Sequence, residues 1–229
     1  MTATRDIIDE VKAIVEERSL LRHPFYQAWQ KGELRLADLR GYAAQYWHHV
    51  LAFPQYVSAA HAICPPEAYG DRQAMLENLI EEERGDENHP ELWLRFAEGV
   101  GATRDDVRGS RPLPETAALV STFRDATARR SFAEACAALY VYESQVPEVA
   151  KTKIAGLERF YGIHDPRSLQ FFTVHIGADE VHADVGAGMV RRHATDEAGR
   201  DAVRRTAHEC ADALWSFLDG VHRACAAAA

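Results

Sequence analysis

Apolar side chains recur along almost the whole chain at intervals of three and four, the period of an amphipathic α-helix. No stretch alternates apolar and polar residues between turn signals as a strand does. The first stripe, Ile7, Ile8, Val11, Ile14 and Val15, predicts a helix from Thr4 to Glu17. After the break at Arg22-His23-Pro24, a short helix over Phe25 to Lys31 starts on the proline, a favoured first-turn residue, and Gly32 closes it. Leu36 to Cys64 reads as one long helix carrying Tyr42, Tyr46, Trp47, Phe53 and Tyr56, with a kink expected at Pro54. Pro65-Pro66 ends that region. Helices are expected over Arg72 to Arg84, Pro90 to Val100 and Pro112 to Ala126, with a capped turn at Thr103 to Val107. Ser131 to Phe160 reads as a long helix interrupted only by Pro147. Asp165-Pro166 starts another that runs to about His193, and the last spans Thr195 to the C-terminus. The expected architecture is an all-α bundle of seven to eight main helices, one domain over residues 1–229, with room for a site in its middle.

Composition narrows the setting. A hydrophobic content of 47% with 27% charged residues is that of a soluble globular protein. The net charge of −9 and the scattered basic residues argue against nucleic acid or an anionic membrane as partner. Cys64, Cys136, Cys210 and Cys225 form no CxxC and no paired framework, which fits a reducing compartment. The acidic, amphipathic N-terminal segment lacks the pattern of a signal peptide, and the longest apolar run, Ala135 to Tyr142, is far too short to span a bilayer. A cytoplasmic location is therefore expected.

Chemistry concentrates first in FFTVHIGADEVHADVG, residues 171–186. His175, Asp179 and His182 are spaced four and three apart, so a helix projects them from one face. Two imidazoles and a carboxylate on an otherwise apolar stripe are costly unless something binds them. Two other segments offer partners. In LENLIEEERGDENHPELW, Glu82 and His89 are seven apart, so a straight helix would set them on one stripe roughly 10 Å apart. Gly85 and Pro90 weaken that helix where the ligands would converge. Among Glu81, Glu82 and Glu83, only Glu82 would share a face with His89. Glu143 follows the apolar run Ala135 to Tyr142, where a carboxylate must be paired or bound. Together Glu82, His89, Glu143, His175, Asp179 and His182 suit two divalent first-row ions, iron or manganese rather than zinc. The paired Glu-x-x-His motifs of ferritin-like proteins are absent. His48-His49 and His61, on the aromatic helix, are read as packing or cavity residues.

The ordered motifs HPFYQAW, YWHHVLAFPQYVSAAH, EEERGDENHPELW, ALYVYESQVP and TVHIGADEVHADVG cover most of the chain. They resemble the family of the Chlamydia protein associating with death domains (CADD), which stands beside the pyrroloquinoline-quinone synthase and TenA thiaminase families. The resemblance implies a heme-oxygenase-like helical bundle around a central cavity. It implies a centre of two irons, or of manganese and iron, held by the same six residues and using dioxygen with an external reductant. It also implies a role in folate biosynthesis, making para-aminobenzoate from the protein's own tyrosine. Carried onto this chain, that tyrosine is Tyr26, the nitrogen donor Lys153, and a neighbouring redox-active tyrosine Tyr142. The chain departs from the family pattern at Phe171-Phe172-Thr173, where members carry Tyr-Phe-Thr, so no tyrosyl step is open to position 171. The alternatives are a dimetal oxidase acting on an external small molecule, a cofactor-free oxidase of the pyrroloquinoline-quinone synthase type, and a helical interaction module. Helical faces rich in aromatics point to a homodimer.

Overall fold

The computed structural model describes residues 6–227, apart from the Glu180 side chain. The described residues form eleven α-helices: α1 (Ile7–Glu17), α2 (Pro24–Lys31), α3 (Leu36–Ile63), α4 (Tyr69–Glu83), α5 (His89–Gly99), α6 (Arg104–Arg108), α7 (Pro114–Arg129), α8 (Phe132–Glu143), α9 (Val146–Tyr161), α10 (Pro166–His193) and α11 (Glu197–Ala227). A single 3-10 turn, Leu20–Arg22, joins α1 to α2. The expected start of the first helix at Thr4 lies outside the described residues.

Eleven helices stand where seven to eight main ones were expected, and two local features account for two of the additional ones. The capped turn at Thr103 closes into the short helix α6, because the Thr103 hydroxyl accepts from the Asp106 amide. The long helix expected over Ser131 to Phe160 is two. A proline ring clashes with the carbonyl four residues back. The chain therefore leaves helical pairing at Ser144-Gln145, and Pro147 falls in the first turn of α9. By contrast, α3 runs through Pro54 as one helix.

The bundle is organised around α8. Every residue from Ala135 to Glu143 is buried, so this helix has no solvent face and must be covered on all sides. It packs against α10, α11 and α7, with α1 and α3 completing the jacket. A capping box starts it: Ser131 accepts from the Glu134 amide, and Glu134 reaches back to the Ser131 amide. Its last residue, Glu143, is thereby delivered into the interior.

Two short tethers position the pocket residues. His23 caps α2 by accepting from the Phe25 amide through Nδ1, which leaves Nε2–H for Asp219 at 3.1 Å and fixes the turn that carries Tyr26. Trp29 donates its indole N–H to the Lys153 carbonyl at 3.3 Å, locking α2 to α9. Gly156 makes that approach close, since a Cβ there would stand 2.6 Å from the Trp29 ring. None of the described helices is long and apolar enough to cross a membrane.

The Gly156→Ala variant tests this packing. Alanine would gain about 1 kcal/mol of helix propensity, yet overpacking against a fully buried indole costs about 1–3 kcal/mol. We expect a lower urea midpoint at unchanged m-value.

Candidate metal centre and tyrosine pocket

Glu82 and His89 do not share one straight helix, because the chain breaks between them at Gly85. α4 ends at Glu83, Gly85 turns the chain with φ +84°, and α5 begins at His89 under the Asn88 cap. The loop folds the two residues onto each other instead of spacing them two turns apart. Glu82 Oε2 and His89 Nδ1 stand 2.7 Å apart, both buried. Of the three consecutive glutamates only Glu82 faces inward, and Glu81 and Glu83 are exposed.

The structure gathers the six residues into two trios, Glu82 with His89 and His175, and Glu143 with Asp179 and His182. Within each trio the nearest side-chain ligand atoms lie within 4.8 Å of one another. α10 serves both: His175 and Asp179 are four residues apart, a rise of about 6 Å along the helix. His175 donates Nδ1–H to the Phe171 carbonyl, which leaves Nε2 as its free lone pair. Asn78 donates to Glu143 Oε1 at 2.8 Å from α4.

These groups are poorly satisfied by the protein alone. His89 Nδ1, Asp179 Oδ2 and His182 Nδ1 are buried without a properly oriented hydrogen-bond partner, even where a carboxylate is near. Burial, reinforced by the charge of Asp179, pushes Glu143 up to about 8. Burial likewise raises Asp179 to about 6. Burial opposes charge on His182, but Asp179 and Glu143 outweigh it and bring it to about 9. For His89 the Glu82 carboxylate overcomes burial and raises the pKa, whereas His175, buried beside His89, is held well below the usual range. Buried carboxylates and imidazoles that share protons in this way fit a divalent cation that would displace those protons and take over their charge.

Beside the first trio lies a small cavity of about 20 Å³ reached by Tyr26, Tyr46, Tyr142, Lys153, Phe171 and His175. Here the Tyr42 hydroxyl is shared. It lies 2.9 Å from the Tyr26 hydroxyl and 2.6 Å from Lys153 Nζ. Lys153 Nζ sits 5.0 Å from the centre of the Tyr26 ring. Burial lowers the Lys153 pKa to about 7, so a large neutral fraction exists at physiological pH. Tyr142 does not touch Tyr26. Its hydroxyl pairs with that of Tyr46 at 2.6 Å, and the Tyr46 ring stacks on Tyr42 with centres 5.5 Å apart. Phe171 packs against His175 and Trp93. His49 is buried among Tyr46, Phe53, Phe123 and Tyr142. His48 meets Ser110, and His61 is only partly buried.

The sequence pattern misses four participants. Tyr42 and Tyr46 pass for core aromatics, although their spacing of four, continued by His49, puts three polar tips on one buried face. Asn78 had a signal too, since Met75, Asn78 and Glu82 form the buried stripe of α4 and two of the three are polar. Glu81 had none. It reaches His182 Nε2 at 3.2 Å while that ring's Nδ1 faces Asp179 and Glu143, the arrangement by which a carboxylate orients a metal-binding imidazole.

Residues 40–215 match the family model described as iron-containing redox enzyme. The chain is 45% identical to the 4-aminobenzoate synthase of Nitrosomonas europaea, over 96% of this chain and 92% of that protein. It is 36% identical to the 4-aminobenzoate synthase of Chlamydia trachomatis, over 96% and 93%. Among solved structures it is similar to a domain of unknown function with a heme-oxygenase-like fold from Shewanella denitrificans, with a TM-score of 0.78, 19% identity and coverage of 95% and 90%.

Adding Mn(II) to metal-free protein should raise the melting temperature, with about 2.7 kcal/mol of stabilisation at a hundred times the dissociation constant. Glu143→Ala should lose part of this gain, and acidification should weaken it because protons compete for the same carboxylates. Calorimetry with metal titration measures both.

Proposed function

Because this chain belongs to the iron-containing redox enzymes and, among them, to the family of the 4-aminobenzoate synthases, we propose that it makes 4-aminobenzoate from its own Tyr26. In this reading two ions of the iron–manganese class, as an iron pair or a manganese–iron pair, are held by Glu82, His89 and His175 and by Glu143, Asp179 and His182. Asp179 would hold an ion from α10, where it stands between His175 and His182. When bound, the ions supply oxidising power from dioxygen with externally delivered electrons. The Tyr26 ring and its Cβ would become the benzoate: the Cα–Cβ bond breaks, Cβ is oxidised to the carboxylate carbon at the expense of dioxygen, the Lys153 nitrogen takes the place of the phenolic oxygen, which leaves as water, and oxidation of the Lys153 Cε–Nζ bond to an imine followed by hydrolysis frees the product and leaves an aldehyde at Cε.

The observation that carries this reading is the shared Tyr42 hydroxyl. It holds the phenol to be consumed and the amine to be donated against one atom in a buried site. A cavity of about 20 Å³ has no room for an external organic substrate, which favours the side chain already inside it. Desolvation keeps Lys153 neutral in part and therefore nucleophilic. Phe171 cannot carry an electron hole as a tyrosine does. Tyr142, next in sequence to Glu143, leads through Tyr46 and Tyr42 to Tyr26 and offers a path that avoids position 171.

Complementation of a para-aminobenzoate auxotroph tests the reading. Wild-type protein should restore growth, and Tyr26→Phe and Lys153→Met should not. Tyr26→Phe removes one hydrogen bond, a loss of about 1 kcal/mol that leaves the fold standing. Growth restored equally by Tyr26→Phe would contradict the reading. The amine must be neutral, and its neutral fraction rises as pH climbs through about 7. Product formed in a single turnover in vitro should rise across the same window.

A further inference from the structure

A second cavity, of about 230 Å³, opens between α4, α8 and α10 and ends on Glu143 and His182. α10 packs closely along α8 and only sparsely on α4, and the gap between α4 and α10 is the opening. Its inner walls are Met75, Leu139 and Met189, all buried. Val181 and Val185 stand at its exposed end.

Gly186 is part of the cavity wall. Gly186 lies within the long helix α10, where glycine is an unfavourable choice for the backbone. A Cβ added there would come no closer than 3.9 Å to Tyr140, so neither packing nor backbone conformation demands glycine. What the missing side chain does is leave room beside the second trio.

We propose that this cavity is the entry route and waiting site for dioxygen at the metal centre. The inference rests on the reading above that the centre consumes dioxygen. The apolar part of the wall, Met75, Leu139, Met189, Val181 and Val185, suits a small apolar molecule, and an apolar cavity of about 150 Å³ is already large enough to take benzene or xenon. Glu77 and Glu81 line the same cavity and, with the net charge of −9, repel carboxylate-bearing molecules. The two cavities thus divide the labour. The smaller one meets the first trio at His175 and is lined by Tyr26, and the larger one meets the second trio and admits the gas.

Xenon is the probe. Crystals of metal-free protein under xenon pressure should show the gas in this cavity, and crystals of Gly186→Leu should not. In stopped-flow mixing of iron-loaded, reduced protein with dioxygen, Gly186→Leu should slow oxidation about tenfold at unchanged iron content. Val181→Trp, at an exposed position that tolerates a large side chain, should slow it in the same direction. A wild-type cavity that takes up no xenon, or two variants that react at the wild-type rate, would overturn the proposal. Gated oxidation that leaves Tyr26 intact would keep the port and remove the self-consumption reading. Consumption of Tyr26 with xenon absent from the cavity would do the reverse.

Discussion

Three carboxylates and three imidazoles sit in the interior of this bundle, five of the six almost completely shielded from water. Ionised groups without partners in such a place cost several kcal/mol each, and the protein supplies few partners of its own. The consequence is visible in the pKa directions, with Glu143 and Asp179 pushed up and His182 drawn up to meet them. A divalent cation resolves this frustration where apolar packing does not. The architecture answers the same constraint: α8 is buried on every side so that Glu143 arrives at the centre, and the loop between α4 and α5 doubles back so that Glu82 meets His89.

Next to that charged core the protein builds a dry aromatic compartment. Its organising atom is the Tyr42 hydroxyl, which touches both Tyr26 and Lys153. The forces here are modest individually: two hydrogen bonds, a stack of rings and an amine over a ring face. Their joint effect is to fix a phenol and a partly neutral amine in one orientation against the same hydroxyl. That is the kind of order from which a reaction between two side chains of one chain gains most.

Much of this is legible in the sequence, for identifiable reasons. The 3.6-residue period marks the helices, and the polar residues breaking an apolar stripe on α10 and after α8 mark four of the six clustered groups. Glu82 and His89 also stand out, but through a geometry the chain does not adopt. They lie on two helices, and the tight turn at Gly85 brings them closer than any straight helix would. The break at Ser144-Gln145 was signalled by Pro147, whose steric demand is local. Tyr42, Tyr46 and Asn78 carry only the local signal of polar tips on a buried stripe and Glu81 carries none, and pattern at short range cannot distinguish a tyrosine that packs from one that shares its hydroxyl.

The central claim is that the ring of the product is the ring of Tyr26. Protein grown with ring-¹³C tyrosine, loaded with iron, reduced and exposed to dioxygen in unlabelled medium tests it most directly. The account predicts 4-aminobenzoate carrying the full ring label, no more than one molecule per chain, with the peptide around Tyr26 altered to match. Unlabelled product, or more than one equivalent per chain with Tyr26 intact, would contradict it.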